Sequence, residues 1–311
     1  MAIQFECDLH GHTKRSDGND TPLEFINHAV ELGMKVAAIT DHDIIPPVTI
    51  EVDGQTVDTQ EYALSKGLKL LLGIEVSCET YIDDVHLVCF GCDWDDPYWA
   101  WLDDFVVKSK IEGYRMLAEA LNENGMPMSW AEVLDNNGNP VEEQNVQKKM
   151  IFELMARKGY CPTWQDAKLF VKNNKEIVIK RPKPSAESVI KEVKRMGGIV
   201  IMAHPYLVSE PIQYEDREIT RKEYIDILIN AGLDGIEASY TYDKTSYGGT
   251  MTKDEIIAEV KELYKDRLFI SGGSDYHNDG KKGVKNPRDI GDCGITIEEL
   301  MQYDKLAALL P

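Results

Sequence analysis

The sequence predicts an α/β fold in which about seven mostly parallel strands alternate with helices and close into a barrel or a strongly curved sheet. A helical subdomain interrupts the alternation. Three observations predict this. Short apolar runs alternate with amphipathic helical patterns in the first and last thirds of the chain, the mark of βα units. Between about 97 and 185 the alternation stops and the pattern turns helical. Six of the seven histidines stand at or beside the ends of the expected strands, next to Asp, Gly or Pro.

The first strand is expected over 3–9 (IQFECDL) and the second over 35–40 (KVAAIT). Between them lies TPLEFINHAVELGM. Thr21 can cap a helix that has Pro22 at its first position and Glu24 three residues after the cap, a capping box. Phe25, Ala29 and Leu32 share one face, and Gly33 ends the helix. Strand, helix and strand in this order make a parallel βα unit. Further strands are expected over 68–74 (LKLLLGI) and 85–90 (VHLVCF). The stretch 97–185 holds no histidine; it opens with a long amphipathic helix and passes through the polar loop VLDNNGNPVEEQ. Helices follow in NVQKKMIFELMARKGY and WQDAKLFVKNN. Ser185 then starts a helix, and strands are expected at 199–203, 235–239 and 267–273. The helices between them are RKEYIDILINAGL and TKDEIIAEVKELYKD, the second capped by Thr252. The organisation is a barrel domain of residues 1–96 and 186–311 with a helical insertion at 97–185.

Composition narrows the function. The chain has 311 residues, 43% of them hydrophobic, enough for a sizeable core. Its 54 acids outnumber 34 bases, for a formal charge of −20. Such a surface repels polyanions, which argues against long nucleic acid as a partner. A small anionic substrate remains compatible where metal ions supply positive charge locally. Six cysteines imply no disulfide framework at this length. Cys89 and Cys92 form a CxxC, but on a strand residues three apart face opposite ways, and no second pair completes a zinc site. No signal peptide and no apolar run of membrane-spanning length is evident, so a reducing cytoplasm is the expected compartment.

The histidines carry the chemistry. His10 and His12 follow the first strand, His42 the second; His86 opens the fourth, His204 ends the fifth and His277 follows the seventh. Glu75 ends the third strand, and Asp17 and Asp275 lie in the loops after the first and last. In barrel-like α/β folds the strand ends converge on one face, so these nine can share a pocket. Imidazole and carboxylate together suit divalent Mn, Fe and Zn. Each residue alone has an ordinary explanation as a turn former or polar core residue, but their common placement does not. His28, mid-helix, is expected to be a packing or surface residue.

The segments DLHGHTKRSDG, AAITDHD, GIEVS, HLVCFG, AHP and GGSDYH together resemble the PHP (polymerase and histidinol phosphatase) family of metal-dependent phosphoesterases. Their order is similar to the TrpH/YciV-like subgroup with a helical insertion. The resemblance implies a distorted (β/α)7 barrel with an inserted helical subdomain and a site of two to three divalent metal ions (Mn, Fe or Zn). By that pattern one ion takes His10, His12, Glu75 and Asp275. A second takes Asp17, His42 and His277. A third takes His86 and His204, with Glu75 bridging. Members that act on nucleotide 3′-phosphates or RNA ends usually carry Arg-Pro-His in the insertion. None is present here, which favours another small phosphorylated metabolite, such as a sugar phosphate or cyclic phosphate.

The implied reaction is direct attack on phosphorus by metal-activated hydroxide, with no phosphoenzyme, since no G-x-S-x-G nucleophile elbow is present. Asp41 and Asp43, beside His42, are candidates to orient imidazoles. Lys14 and Arg15, between His12 and Asp17, and Lys180 and Arg181, where the insertion returns, are candidate phosphate-binding cations. Tyr206 and Tyr242 are candidate pocket residues. The alternatives are a nucleotide 3′,5′-bisphosphate phosphatase or 5′-3′ exoribonuclease, a metal-dependent amide or lactone hydrolase, and a non-catalytic PHP module. The oligomeric state is not encoded in any of these features.

Overall fold

The computed structural model describes residues 5–177 and 179–311. Two compact units form: the chain up to Trp99 together with Pro184–Pro311, and Ala100–Lys183. The first unit is built on one seven-stranded sheet whose strands lie side by side in chain order. They are β1 (Cys7–Asp8), β2 (Val36–Ile39), β3 (Lys69–Ser77), β4 (His86–Phe90), β5 (Ile199–Met202), β6 (Gly235–Ser239) and β7 (Phe269–Gly272). The chain after β7 returns to β1: Leu9 N donates to Gly272 O at 3.2 Å, and His12 N to Tyr276 O at 2.8 Å. The sheet thereby closes as the expected distorted barrel. All seven strands fall where the apolar runs placed them; residues 3 and 4 of the first run lie outside the described residues.

The distortion has one clear source. β4 runs antiparallel to both β3 and β5, while the other pairs are parallel. Residues 78–85, which join β3 to β4, are fewer than the dozen or so that a parallel crossover needs. The reversal matters for the site. It puts the first residue of β4, His86, opposite Ser77, the last of β3.

Helices α1 (Pro22–Leu32), α2 (Thr59–Ser65), α7 (Ala186–Arg195), α8 (Arg221–Ala231) and α9 (Lys253–Tyr264) belong to this unit. The α1 capping box is present: Thr21 Oγ1 accepts from Glu24 N, and Glu24 Oε2 accepts from Thr21 N at 2.7 Å. Side-chain parity separates two layers. Val36, Ala38, Leu71 and Val88 face the barrel interior with Ile295, Leu300 and Leu306 of the C-terminal segment. Ala37, Ile39 and Leu70 face outward onto Phe25, Ile26 and Ala63 of α1 and α2. Continuing the interior parity of Leu71 through Gly73 brings Glu75 inside. Two small hairpins, Thr49–Val52 with Gln55–Asp58 and Ile212–Tyr214 with Arg217–Ile219, were not expected. The first had a local signal: Asp53-Gly54, both at positive φ, is a two-residue hairpin turn.

The second unit contains most of α3 (Pro97–Glu123) with α4 (Trp130–Asp135), α5 (Lys148–Arg157) and α6 (Trp164–Asn173). They enclose a separate core that includes Leu117, Leu121, Ile151, Met155 and Val171.

Candidate metal centre

Glu75 is completely buried, and imidazoles surround it. Its Oε2 lies 3.2 Å from His10 Nε2, 3.2 Å from His12 Nε2 and 2.9 Å from His42 Nδ1. Its Oε1 lies 2.9 Å from His86 Nδ1 and 3.1 Å from His204 Nε2. Asp275 Oδ1 stands 3.0 Å from His12 Nε2, and Asp17 Oδ1 3.0 Å from His277 Nε2. Three groups have ligand atoms within 4.8 Å of one another: His10, His12, Glu75 and Asp275; His12, Asp17, His42 and His277; and His42, Glu75 and His86. His204 joins through Glu75 and packs its ring against His86 at 5.0 Å.

The donor atoms are arranged for cations rather than for one another. His10 Nε2, both nitrogens of His12, His42 Nδ1, His204 Nδ1, Glu75 Oε2 and Asp275 Oδ1 are buried without a hydrogen-bond partner. Buried polar atoms left unpaired are costly, and native interiors hold few. A divalent ion shared between facing nitrogen and oxygen lone pairs removes that cost, and this donor set suits Mn, Fe or Zn. The residues fit such ions.

Local backbone geometry aims these side chains. His204 at φ 29° and Asp275 at φ 53° occupy the left-handed region, which is costly for non-glycine residues. There the chain leaves β5 and β7 abruptly and brings both side chains back toward Glu75. Asp43, at φ 55°, donates from its amide to Glu75 O at 2.9 Å and accepts from Ser77 N at 2.8 Å. That lacing holds His42 beside β3. Asp41 fastens the loop after β1 instead, accepting from the amide and hydroxyl of Thr13 and from Ser16 Oγ, each at 2.7 Å.

The electrostatics are strongly coupled. Burial works against charge on Glu75, yet the His42, His10 and His86 imidazoles hold its carboxyl well below the ordinary range. Burial also disfavours a cation at His10, but Glu75, Glu237 and Asp275 carry it well above the usual imidazole value. His42 is pushed up to about 9, against burial, chiefly by Glu75. His86 moves the other way, lowered by burial and by the neighbouring His204 and His42 despite Glu75. Protons and dications compete for the same lone pairs, so these shifts set how metal binding depends on pH.

A family model for the PHP domain matches residues 8–270. The chain belongs to the PHP domain family. It is 24% identical to a 3′,5′-nucleoside bisphosphate phosphatase of Chromobacterium violaceum, over 91% of this chain and 90% of that one. It is also 24% identical to a phosphoribosyl 1,2-cyclic phosphate 1,2-diphosphodiesterase of Eggerthella lenta, over 89% and 95%. A solved structure from Bifidobacterium adolescentis, described as a metal-dependent phosphoesterase, is 25% identical; the match covers 96% and 95% of the two chains with a TM-score of 0.63. The chain is thus a metal-dependent phosphoesterase, a hydrolase of phosphoester bonds, as its motifs imply.

Several residues that support this PHP site were not singled out in the sequence. Glu237 Oε1 lies 3.2 Å from His10 Nδ1, and its Oε2 accepts from His204 N at 2.8 Å. A signal existed: Gly235-Ile-Glu237-Ala-Ser239 on β6 echoes Gly73-Ile-Glu75-Val-Ser77 on β3. Asp8, fully buried and with its carboxyl pushed up to about 6 by burial, accepts from Ser274 N, Ser274 Oγ and Gly291 N. It ties β1 to the loop that carries Asp275. Tyr240 donates to Asp275 Oδ2 at 2.8 Å and Arg288 pairs with the same oxygen, leaving Oδ1 to face the histidines. Tyr240 thus stands at the site, while Tyr206 donates to Glu259 and Tyr242 accepts from Tyr206 N.

The cavity over the cluster, about 400 Å³, is lined by Asp17, His42, His86, His204, Asp275 and His277, with Lys244 and Arg288 at its side. Lys14 and Arg15 are not among its lining residues. Lys14 pairs with Glu24 at 3.3 Å, and Arg15 donates to Ile45 O at 2.7 Å. Lys180 and Arg181 fall in the helical unit, where Arg181 donates to Ser109 Oγ at 3.3 Å. His28 stands apart, bonded to Asp289 at 2.7 Å and stacked on Tyr276. All six cysteines are free and buried.

Proposed function

We propose that this phosphoesterase hydrolyses the phosphate ester of a small metabolite, using two to three divalent ions (Mn, Fe or Zn) held by His10, His12, Asp17, His42, Glu75, His86, His204, Asp275 and His277. The observation that carries the reading is the convergence of five imidazoles on Glu75, with His10 Nε2, His12 Nε2, His42 Nδ1, Glu75 Oε2 and Asp275 Oδ1 buried without a hydrogen-bond partner. When bound, such ions activate water and neutralise phosphoryl oxygens. The chain's own residues do the rest. Glu75 gathers the imidazoles, Glu237 and the Asp275 carbonyl hold His10 and His277 by their other nitrogen, and Tyr240 and Arg288 fix Asp275. Lys244 and Arg288 line the cavity and join Lys14, Arg15, Lys180 and Arg181 as candidate cations for a substrate phosphate, although Lys244 already pairs with Asp292 at 2.7 Å and Arg288 with Asp275 and Asp279.

Among the curated relatives, one is named for a nucleoside bisphosphate and one for a phosphoribosyl cyclic phosphate, while others are named 5′-3′ exoribonucleases. The first two substrates are compact phosphorylated metabolites, and the −20 charge of this chain suits a small anion better than a long RNA. The free, buried cysteines fit a reducing compartment, the cytoplasm. A phosphate-release screen of phosphorylated metabolites, run with metal-replete protein and metal analysis in parallel, tests the reading. Orthophosphate or ring-opened phosphate from at least one small ester is expected. Turnover of amides or lactones with no ester cleaved would overturn it.

A further inference from the structure

The helical unit contains a second cavity, about 400 Å³, whose lining residues all belong to that unit. Its walls are apolar: Leu117 of α3, Phe152 of α5, Val171 of α6 and Ile177 are all buried. Four lysines also line it: Lys110 from α3, Lys148 from α5, and Lys168 and Lys172 from α6. No aspartate or glutamate lines it, among the described residues. Gly113 lies against Arg181 so closely that a Cβ there would stand 3.0 Å from the arginine Cβ.

This concentration of one sign runs against the chain as a whole, which carries a formal charge of −20. Elsewhere in the same unit lysines are neutralised: Lys108 by Asp104, Lys149 by Glu153 and Lys158 by Glu132. None of the ion pairs among the described residues involves Lys110, Lys148, Lys168 or Lys172. Their mutual repulsion is felt at Lys148, whose ammonium is lowered by burial and then by the charge of Lys168. Like charges gathered around an apolar hollow cost free energy that an anionic ligand returns. The apolar walls and the rings of Tyr114 and Phe152 call for a ligand with an aromatic or apolar body.

We propose that the helical unit carries its own binding site for a nucleotide-like ligand, with the body against Leu117, Phe152, Val171 and Ile177 and the phosphate on Lys110, Lys148, Lys168 and Lys172. The juxtaposition of an acid-free ring of lysines with an apolar cavity carries it. The site uses no residue of the metal centre, so it stands or falls apart from the phosphoesterase reading.

The test is titration calorimetry with the full-length protein stripped of metal by EDTA, using AMP and ADP as probes and inorganic phosphate and adenosine as controls. Saturable one-to-one binding of AMP or ADP is expected, with weaker binding of either control and a loss of affinity as salt rises. Lys168→Glu with Lys172→Glu should weaken it about tenfold or more, as the loss of two charge contacts to phosphate implies. His204→Ala should leave the binding unchanged. Lys168→Ala with Lys172→Ala, checked for native circular dichroism, guards against misfolding of the charge-reversed protein. Absence of nucleotide binding to the wild type, or binding unaffected by both double variants, would overturn the site. So would binding of phosphate as tightly as AMP, which would leave the apolar walls without a role.

Discussion

At the residue scale the centre is a division of labour between the two oxygens of each carboxylate. Asp275 gives Oδ2 to Tyr240 and Arg288 and keeps Oδ1 for His10 and His12. Glu75 divides its oxygens between two sets of imidazoles. Asp275→Asn should therefore abolish turnover and lower metal content while far-ultraviolet circular dichroism stays native; wild-type activity in this variant would count against the site. His204→Ala should behave alike. Glu237 acts one step away, through His10 and the His204 amide. Glu237→Gln is expected to weaken metal binding about 10- to 100-fold, the usual cost of an outer partner, with the fold retained. Metal titration against a fluorescent chelator measures it, and unchanged affinity would remove Glu237 from that role. Six of the nine ligand candidates were legible in the sequence because histidines are few and sit at or beside strand ends; Asp17, Glu75 and Asp275 came with them through the motifs that resemble the PHP family. Glu237 and Asp8 were not, since a carboxylate at a strand end has the same local appearance whether it ligates, orients or merely caps.

At the element scale, closure of the barrel depends on how nearly β7 approaches β1. A Cβ on Gly273 would lie 2.3 Å from His10 Cβ and 2.7 Å from its backbone nitrogen, a clash that only backbone movement relieves. Gly273→Ala is expected to destabilise the protein by about 1–3 kcal/mol, the range for overpacking, and to weaken metal binding along with it. Urea unfolding of the metal-free protein reads the first effect, and loss of neither would show that the seam is looser than drawn. The strands and the capped helices were legible because apolar periodicity and caps such as Thr21 with Glu24 are local signals. The direction of β4 was not read from the apolar run, because a strand carries no mark of its polarity. The short 78–85 connection held that information. The reversal is also what brings His86, the start of its strand, to the rim where the other ligands are strand ends.

At the scale of the whole molecule the site couples stability to pH. His42 titrates in the metal-free protein at about 9, above its ordinary 6.5. A raised imidazole contributes stability that is complete below the unfolded value and is lost as pH rises through the folded one. The metal-free protein should therefore lose thermal stability between pH 6.5 and 9. Asp8, at about 6, has finished titrating below that window. Metal binding displaces the same proton, so the rise in Tm on adding Mn²⁺ should grow over the same interval. Scanning calorimetry with and without metal checks both slopes, and a metal-free Tm that rises across the window would contradict them. The sequence by itself determined the alternation of strands and helices, the histidine-poor helical interval and the identity of the metal-ligating candidates, because each depends on residue type and short-range spacing. Only the tertiary structure decided which cationic side chains line the cavity over the histidine cluster. Lys14 and Arg15 are adjacent to candidate ligands in the chain yet turn to Glu24 and Ile45, while Lys244 and Arg288, distant from most of them in sequence, line the cavity, where Asp292 holds the first and Asp275 with Asp279 the second. A long, flexible side chain is placed by the partner it finds in three dimensions, and its neighbours in sequence do not specify that partner.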